Sequence, residues 1–139
     1  LDPYHFSVTV HDDFPSAVAK TKKALADQGF GIVSEIDLAA TLREKLGVEH
    51  LPYLILGACN PGFARDAVRS EPAIGVLLPC NVVVRATGED DGVMVDFMDP
   101  AVAMDLVGEQ RIREIADEVR TKLEMARDAV ATSPAMNRG

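Results

Sequence analysis

The chain has 139 residues, 47% of them hydrophobic, enough for one compact domain with its own core and too few for two. Its 14 basic and 22 acidic side chains give a formal net charge of -8, which opposes the phosphate neutralisation behind nucleic-acid binding and opposes attraction to anionic lipid. No apolar run approaches the roughly 20 residues that cross a bilayer, no basic stretch followed by an apolar one opens the chain, and two cysteines are too few for a secreted disulfide scaffold, so the expectation is a cytoplasmic protein with neither nucleic-acid nor membrane partners.

Near the start, Tyr4, Phe6, Val8 and Val10 alternate with His5, Ser7, Thr9 and His11, the period of a strand with one face in a core. His5 and His11 fall on the outer face, roughly 20 Å apart at strand rise, so they cannot share a metal ion. Asp12 and Asp13 then put negative charge at a helix start, and Phe14, Ala17, Val18, Thr21 and Leu25 make its apolar face, closed by Gly29. Lys20, Lys22 and Lys23 read as a solvated basic face. Phe30 to Glu35 is a second strand, and Asp37 caps a short helix with Leu38, Leu42 and Leu46 on one side. His50, in the turn that follows, reads by default as an ordinary turn histidine, with a role as thiolate partner to Cys59 as the alternative.

The stretch from Tyr53 to Val84 holds both cysteines, each followed by asparagine. Tyr53 to Ala58 is uniformly apolar, as in a strand covered on both faces. Asn60 offers a capping oxygen just before Pro61, whose fixed φ and missing N–H suit the first helical position, so Cys59 belongs at a strand end ahead of a helix N-terminus. Phe63, Ala64, Ala67 and Val68 continue that helix until Glu71-Pro72. Leu77-Leu78-Pro79-Cys80 then leads into a strand from Asn81 to Ala86. Beyond it, Val93 to Met98 pairs back across an acidic, glycine-bounded connection that includes Asp90 and Asp91 and lacks the ligand spacing of a calcium loop. Asp99-Pro100 starts a short helix. The last helix carries Ile112, Ile115, Ala116, Val119, Leu123, Ala126 and Val130 as one long stripe that should cover a sheet.

The run Tyr53-x-Ile55-Leu56-Gly57-x-Cys59-Asn60-Pro61, with Leu77-Leu78-Pro79-Cys80-Asn81 after an apolar helix, resembles the domain of unknown function 302 family. Phe30-Gly31-Ile32-Val33, Ile36-Asp37 and Met98-Asp99-Pro100 extend the resemblance over nearly the whole chain. It implies a small homodimeric α+β fold, similar to the β-α-β(4)-α arrangement of TATA-binding-protein-like domains with short helices inserted, and it carries no established activity. The periodicities independently predict an α+β domain over 1–131, an antiparallel-rich sheet with helices on one face, and a frayed tail over 132–139. A sheet covered on one face leaves the other for a second copy of the chain.

Phosphate-loop, dinucleotide, zinc-protease and Cys-x-x-Cys motifs are all missing, so the common nucleotide, protease and thioredoxin readings have no support. Three readings remain open, and neither a cofactor nor a reaction is specified by any of them. In the first, a small ligand binds near the two Cys-Asn pairs, with Cys59, Asn60, Cys80, Asn81, Tyr53 and His50 as candidate contacts. In the second, Cys59 and Cys80 do thiol chemistry, whether redox, sulfur transfer or soft-metal binding, with Cys59 the candidate catalytic residue because a helix N-terminus stabilises a thiolate. In the third, both cysteines are packed hydrophobes and the asparagines cap turns.

Overall fold

The period-2 runs form one five-stranded sheet, described with the rest of residues 3–89 and 92–132 in a computed structural model of the protein. Its strands are β1 (His5–His11), β2 (Gly31–Asp37), β3 (Tyr53–Cys59), β4 (Cys80–Ala86) and β5 (Gly92–Met98). They lie in the order β1-β5-β4-β3-β2 with every neighbour antiparallel. The helices are α1 (Phe14–Asp27), α2 (Leu38–Leu46), α3 (Pro61–Ser70), α4 (Pro100–Ala103) and α5 (Gln110–Thr132), with 3₁₀ segments at Pro72–Leu77 and Met104–Leu106. The order is β-α-β(4)-α with short helices inserted, as expected from the sequence. Residues 133–139, and with them most of the expected tail, lie outside the described residues, as does the Asp90-Asp91 pair.

Alternation decides which strand residues meet the helices. Leu56, Val82, Val84, Val95 and Phe97 are wholly buried on one face, where they join Leu25 of α1 and Leu123 and Ala126 of α5. Burying each of the larger side chains stabilises the fold by roughly 1.5–3 kcal/mol. The long stripe on α5 is buried at every one of its seven positions, Ile112 through Val130. Among the described residues no helix is long and apolar enough to cross a membrane.

Two local readings need correction. Tyr4 lies ahead of β1 and is 70% exposed, because the strand's ladder begins at the His5–Met98 pair. Lys20 is buried instead of solvated, with its ammonium 3.0 Å from the buried Asp12 carboxylate. It stands at helical spacing from Ala17 and Ala24, on the covered side, and those small neighbours leave room for its stem. The α2 helix forms with its Asp37 cap as read, and its stripe is at most half-buried, with Leu46 69% exposed.

Helix starts follow the expected chemistry. Asp13 Oδ1 accepts the Ser16 N–H at 2.7 Å, Asp37 accepts that of Ala40 at 2.9 Å, and Asp99 accepts that of Ala101 at 3.0 Å. Glu109 caps α5 by accepting the N–H groups of Arg111 and Ile112 at 2.9 and 3.2 Å. It also accepts the Ser70 hydroxyl at 2.8 Å, which ties the end of α3 to the start of α5. These bonds, with Arg111 nearby, hold the Glu109 carboxyl below the usual carboxylate range.

Candidate functional site

Strand β3 ends at Cys59 and the chain turns at once into α3. Asn60 is extended at φ -98°, its Oδ1 accepts the Phe63 N–H at 3.4 Å, its carbonyl accepts the Ala64 N–H at 2.9 Å, and Pro61 opens the helix. The turn that closes α1 packs against this cap. Gly29 there has φ +86°, and a Cβ on it would come within 3.1 Å of Asn60 Nδ2, so glycine serves both the backbone conformation and the close approach.

Across the ladder, Ala58 pairs with Cys80 at the start of β4, just after a cis Leu78–Pro79 bond. Gly57 lies under the Pro79 ring, where a Cβ would overlap Ser34 Oγ and sit 2.7 Å from Pro79 Cγ. The 3₁₀ segment Pro72–Leu77, which periodicity did not reveal, carries the chain from α3 back to β4 and buries Ile74 on the way. Six residues are too few to show a helical stripe.

Between this end of the sheet, α3, the 3₁₀ segment and α5 lies a cavity of about 280 Å³. Phe30, Ala67, Ile74, Cys80, Ile112 and Ala116 are among its buried members, while Val33, Cys59, Asn60, Phe63 and Pro79 are more open and lie at the rim. None of its lining residues is charged. Cys80 is 7% exposed. Burial first, and the neighbouring Cys59 second, push its thiol up to about 11, so it keeps its proton at neutral pH. Cys59 is half-buried, and both thiols are free.

The model for the family described as domain of unknown function DUF302 matches residues 6–130. The chain belongs to this family. A crystal structure titled an uncharacterized conserved protein DUF302 from Bacillus stearothermophilus superposes with a TM-score of 0.84, covering 93% of this chain and 99% of that one at 24% identity, which shows a shared fold. No curated protein matches the chain.

In this DUF302 domain the six residues singled out from sequence divide between two faces. Cys59, Asn60 and Cys80 converge on the cavity. Asn81 comes one residue after Cys80 in an alternating strand, and so it faces the other side with Tyr53, Val83, Arg85 and Asp96. His50 lies at the far end of β3, with its ring 6.0 Å from that of Tyr53 and Nδ1 2.7 Å from the Leu51 carbonyl. It does not line the cavity that holds Cys59.

The open face of the DUF302 sheet carries a polar chain that begins at His5 and Ser7, which the alternation of β1 puts on its outer side. His5 Nδ1 lies 3.0 Å from Ser7 Oγ, Ser7 donates to Asp96 Oδ1 at 2.6 Å, and Arg85 Nε donates to Asp96 Oδ2 at 2.7 Å. That hydrogen bond to Asp96 raises the Arg85 pKa despite partial desolvation. The order is histidine, serine, aspartate, so the serine hydroxyl is spent on the carboxylate and no base takes its proton. This arrangement is unlike a nucleophilic triad, where histidine stands in the middle. Among the described residues no group of three or more histidine, cysteine or acidic side chains comes together as a metal site.

Proposed function

We propose that this domain binds a small, uncharged, carbon-rich ligand in the cavity at the Cys59 end of the sheet. One observation carries the reading. The space amounts to about 280 Å³ between secondary-structure elements, and its lining offers carbon, two thiols and one amide side chain but no charge. At about 30 Å³ per water that is room for roughly nine waters, which such walls would hold poorly. The amide oxygen of Asn60 is already engaged with α3. Affinity would therefore come from apolar contact, with polar groups fixing little.

The test is titration with 1-nonanol, read by methyl NMR. Saturating shifts at Ile74, Ile112 and Val119 are expected, and filling the cavity with Ala116→Met should abolish them. Shifts that grow linearly with alcohol, or that centre on Ile55 and Val83 on the opposite face, would sink the reading.

As partner we propose a second copy of the chain, seated on the open face of the sheet. Support comes from register: Ile36, Ile55 and Val83 are direct neighbours across β2, β3 and β4 and form an aliphatic row on that face. Ile36 is 48% exposed, and Leu46, Val48 and Leu51 are exposed too. Two sheets packed face to face would bury such a row. Light scattering at micromolar concentration should give about 30 kDa, twice the 14.9 kDa chain mass, falling to the single-chain mass for Ile55→Glu. A wild-type chain at the single mass refutes the pairing. The acidic net charge of -8 argues against a polyanionic partner.

A further inference from the structure

Resting on that reading of the cavity, we propose that its ligand class is an apolar molecule with an electron-poor carbon–carbon double bond, such as a medium-chain 2-enal, which Cys59 captures covalently. The cavity offers nothing else to orient a ligand. No charged side chain lines it, and its one amide side chain caps α3 through Oδ1. Sulfur is the sole strong nucleophile in its walls, and the two sulfurs are not equivalent. Cys80 lies at the buried side, 7% exposed. Cys59 stands at the rim, half-buried, directly ahead of Asn60 and the N-terminus of the ten-residue α3. Burial keeps Cys80 as a thiol, whereas Cys59 stands where a reacting carbon can reach its sulfur. One accessible thiol at the mouth of an uncharged cavity disposes a bound chain to react at its rim end.

The step balances without a co-reactant. Cys59 gives up its proton to solvent, Sγ forms a bond to the β-carbon of the enal, and the π pair of the C=C bond moves toward the carbonyl as an enolate. The enolate then takes a proton from solvent at the α-carbon. The sum is addition of S–H across the double bond, with no change in the oxidation state of sulfur. The carbonyl end projects toward the opening beside Asn60, and the alkyl chain runs inward over Ala67, Ile74 and Ile112.

The experiment treats the full chain with trans-2-nonenal or propenal, follows intact mass, and maps the adduct on peptides after borohydride reduction. Each rate is divided by that of glutathione with the same enal. A single adduct on Cys59 is expected, with nonenal favoured over propenal by at least about a hundredfold, because six further carbons enter the cavity. Cys59→Ser should lose the adduct while keeping its circular dichroism. Modification of Cys80 or of lysines alone, or equal relative rates for the two enals, overturns the proposal. If 1-nonanol still perturbs the cavity methyls of the wild-type chain, this inference alone has failed. If nonanol also fails to bind, the ligand reading falls with it.

Discussion

Ala58 faces Cys80 across the β3–β4 ladder, which sets Cys59, the next residue after Ala58, beside Cys80 at one end of the sheet. Their neighbourhood makes the two thiols unequal. Burial and the nearby Cys59 raise Cys80 from 9.0 to about 11, so a thiol reagent at neutral pH should label Cys59 first and Cys80 only on unfolding. Equal native labelling rates would contradict this.

The same shift has a consequence for stability. Below pH 9.0 the Cys80 proton is bound in both states and adds nothing to the pH dependence. Between 9.0 and about 11 the unfolded chain releases it while the folded chain retains it, so the unfolded state binds fewer protons and stability falls as pH rises. The loss should reach about 1.5 kcal/mol at roughly pH 10. Urea denaturation of wild type and Cys80→Ala across this range checks it, since the variant should lack that part of the slope.

Gly57 admits no side chain. Gly57→Ala would drive a methyl group into Ser34 Oγ and the Pro79 ring, and should destabilise the domain by about 1–3 kcal/mol. Adding Ser34→Gly should recover part of that loss, since the serine contact is then gone and the proline contact remains. Denaturant midpoints of the single and double variants decide the matter, and a neutral Gly57→Ala would overturn the packing argument.

Cap geometry predicts an order of effects. Asp13 accepts the Ser16 N–H at 2.7 Å with a charged oxygen, whereas Asn60 reaches Phe63 at 3.4 Å with a neutral one. Asp13→Ala should cost about 1–2 kcal/mol and Asn60→Ala about 0.5. The reverse order in thermal or chemical unfolding would mean that Asn60 matters through its contact with Gly29 instead of through the cap.

Lys20 and Asp12 form a buried pair at 3.0 Å with side-chain exposures of 6% and 0%. Lys20→Met leaves the Asp12 carboxylate in the interior without its ammonium and should cost about 3 kcal/mol or more. Lys23→Met, at a pair whose side chains are 77% and 59% exposed, should change stability by less than about 0.5 kcal/mol. Similar effects for both would show that the Lys20 pair is wet.

By itself the sequence determined the strands, the main helices and most of their covered positions, though not the 3₁₀ segment Pro72–Leu77 or the side on which Lys20 lies. Period-2 runs such as Val82 to Ala86, the stripe from Ile112 to Val130, and the caps at Asp13, Asp37, Asn60 and Asp99 are local signals, because a strand or helix writes its covered side into residues only two to four apart. Placing Cys59 before α3 needed nothing beyond Asn60-Pro61. The tertiary structure decided what those elements share. That Cys59, Asn60 and Cys80 reach one cavity while Asn81 and Tyr53 turn to the opposite face depends on the β3–β4 register, which joins residues more than twenty positions apart. The far wall of that cavity comes from α5, and the burial of Lys20 depends on Asp12 being folded back beside it. No short-range pattern encodes such distances, since they are fixed by packing of surfaces that meet only once the chain has closed on itself.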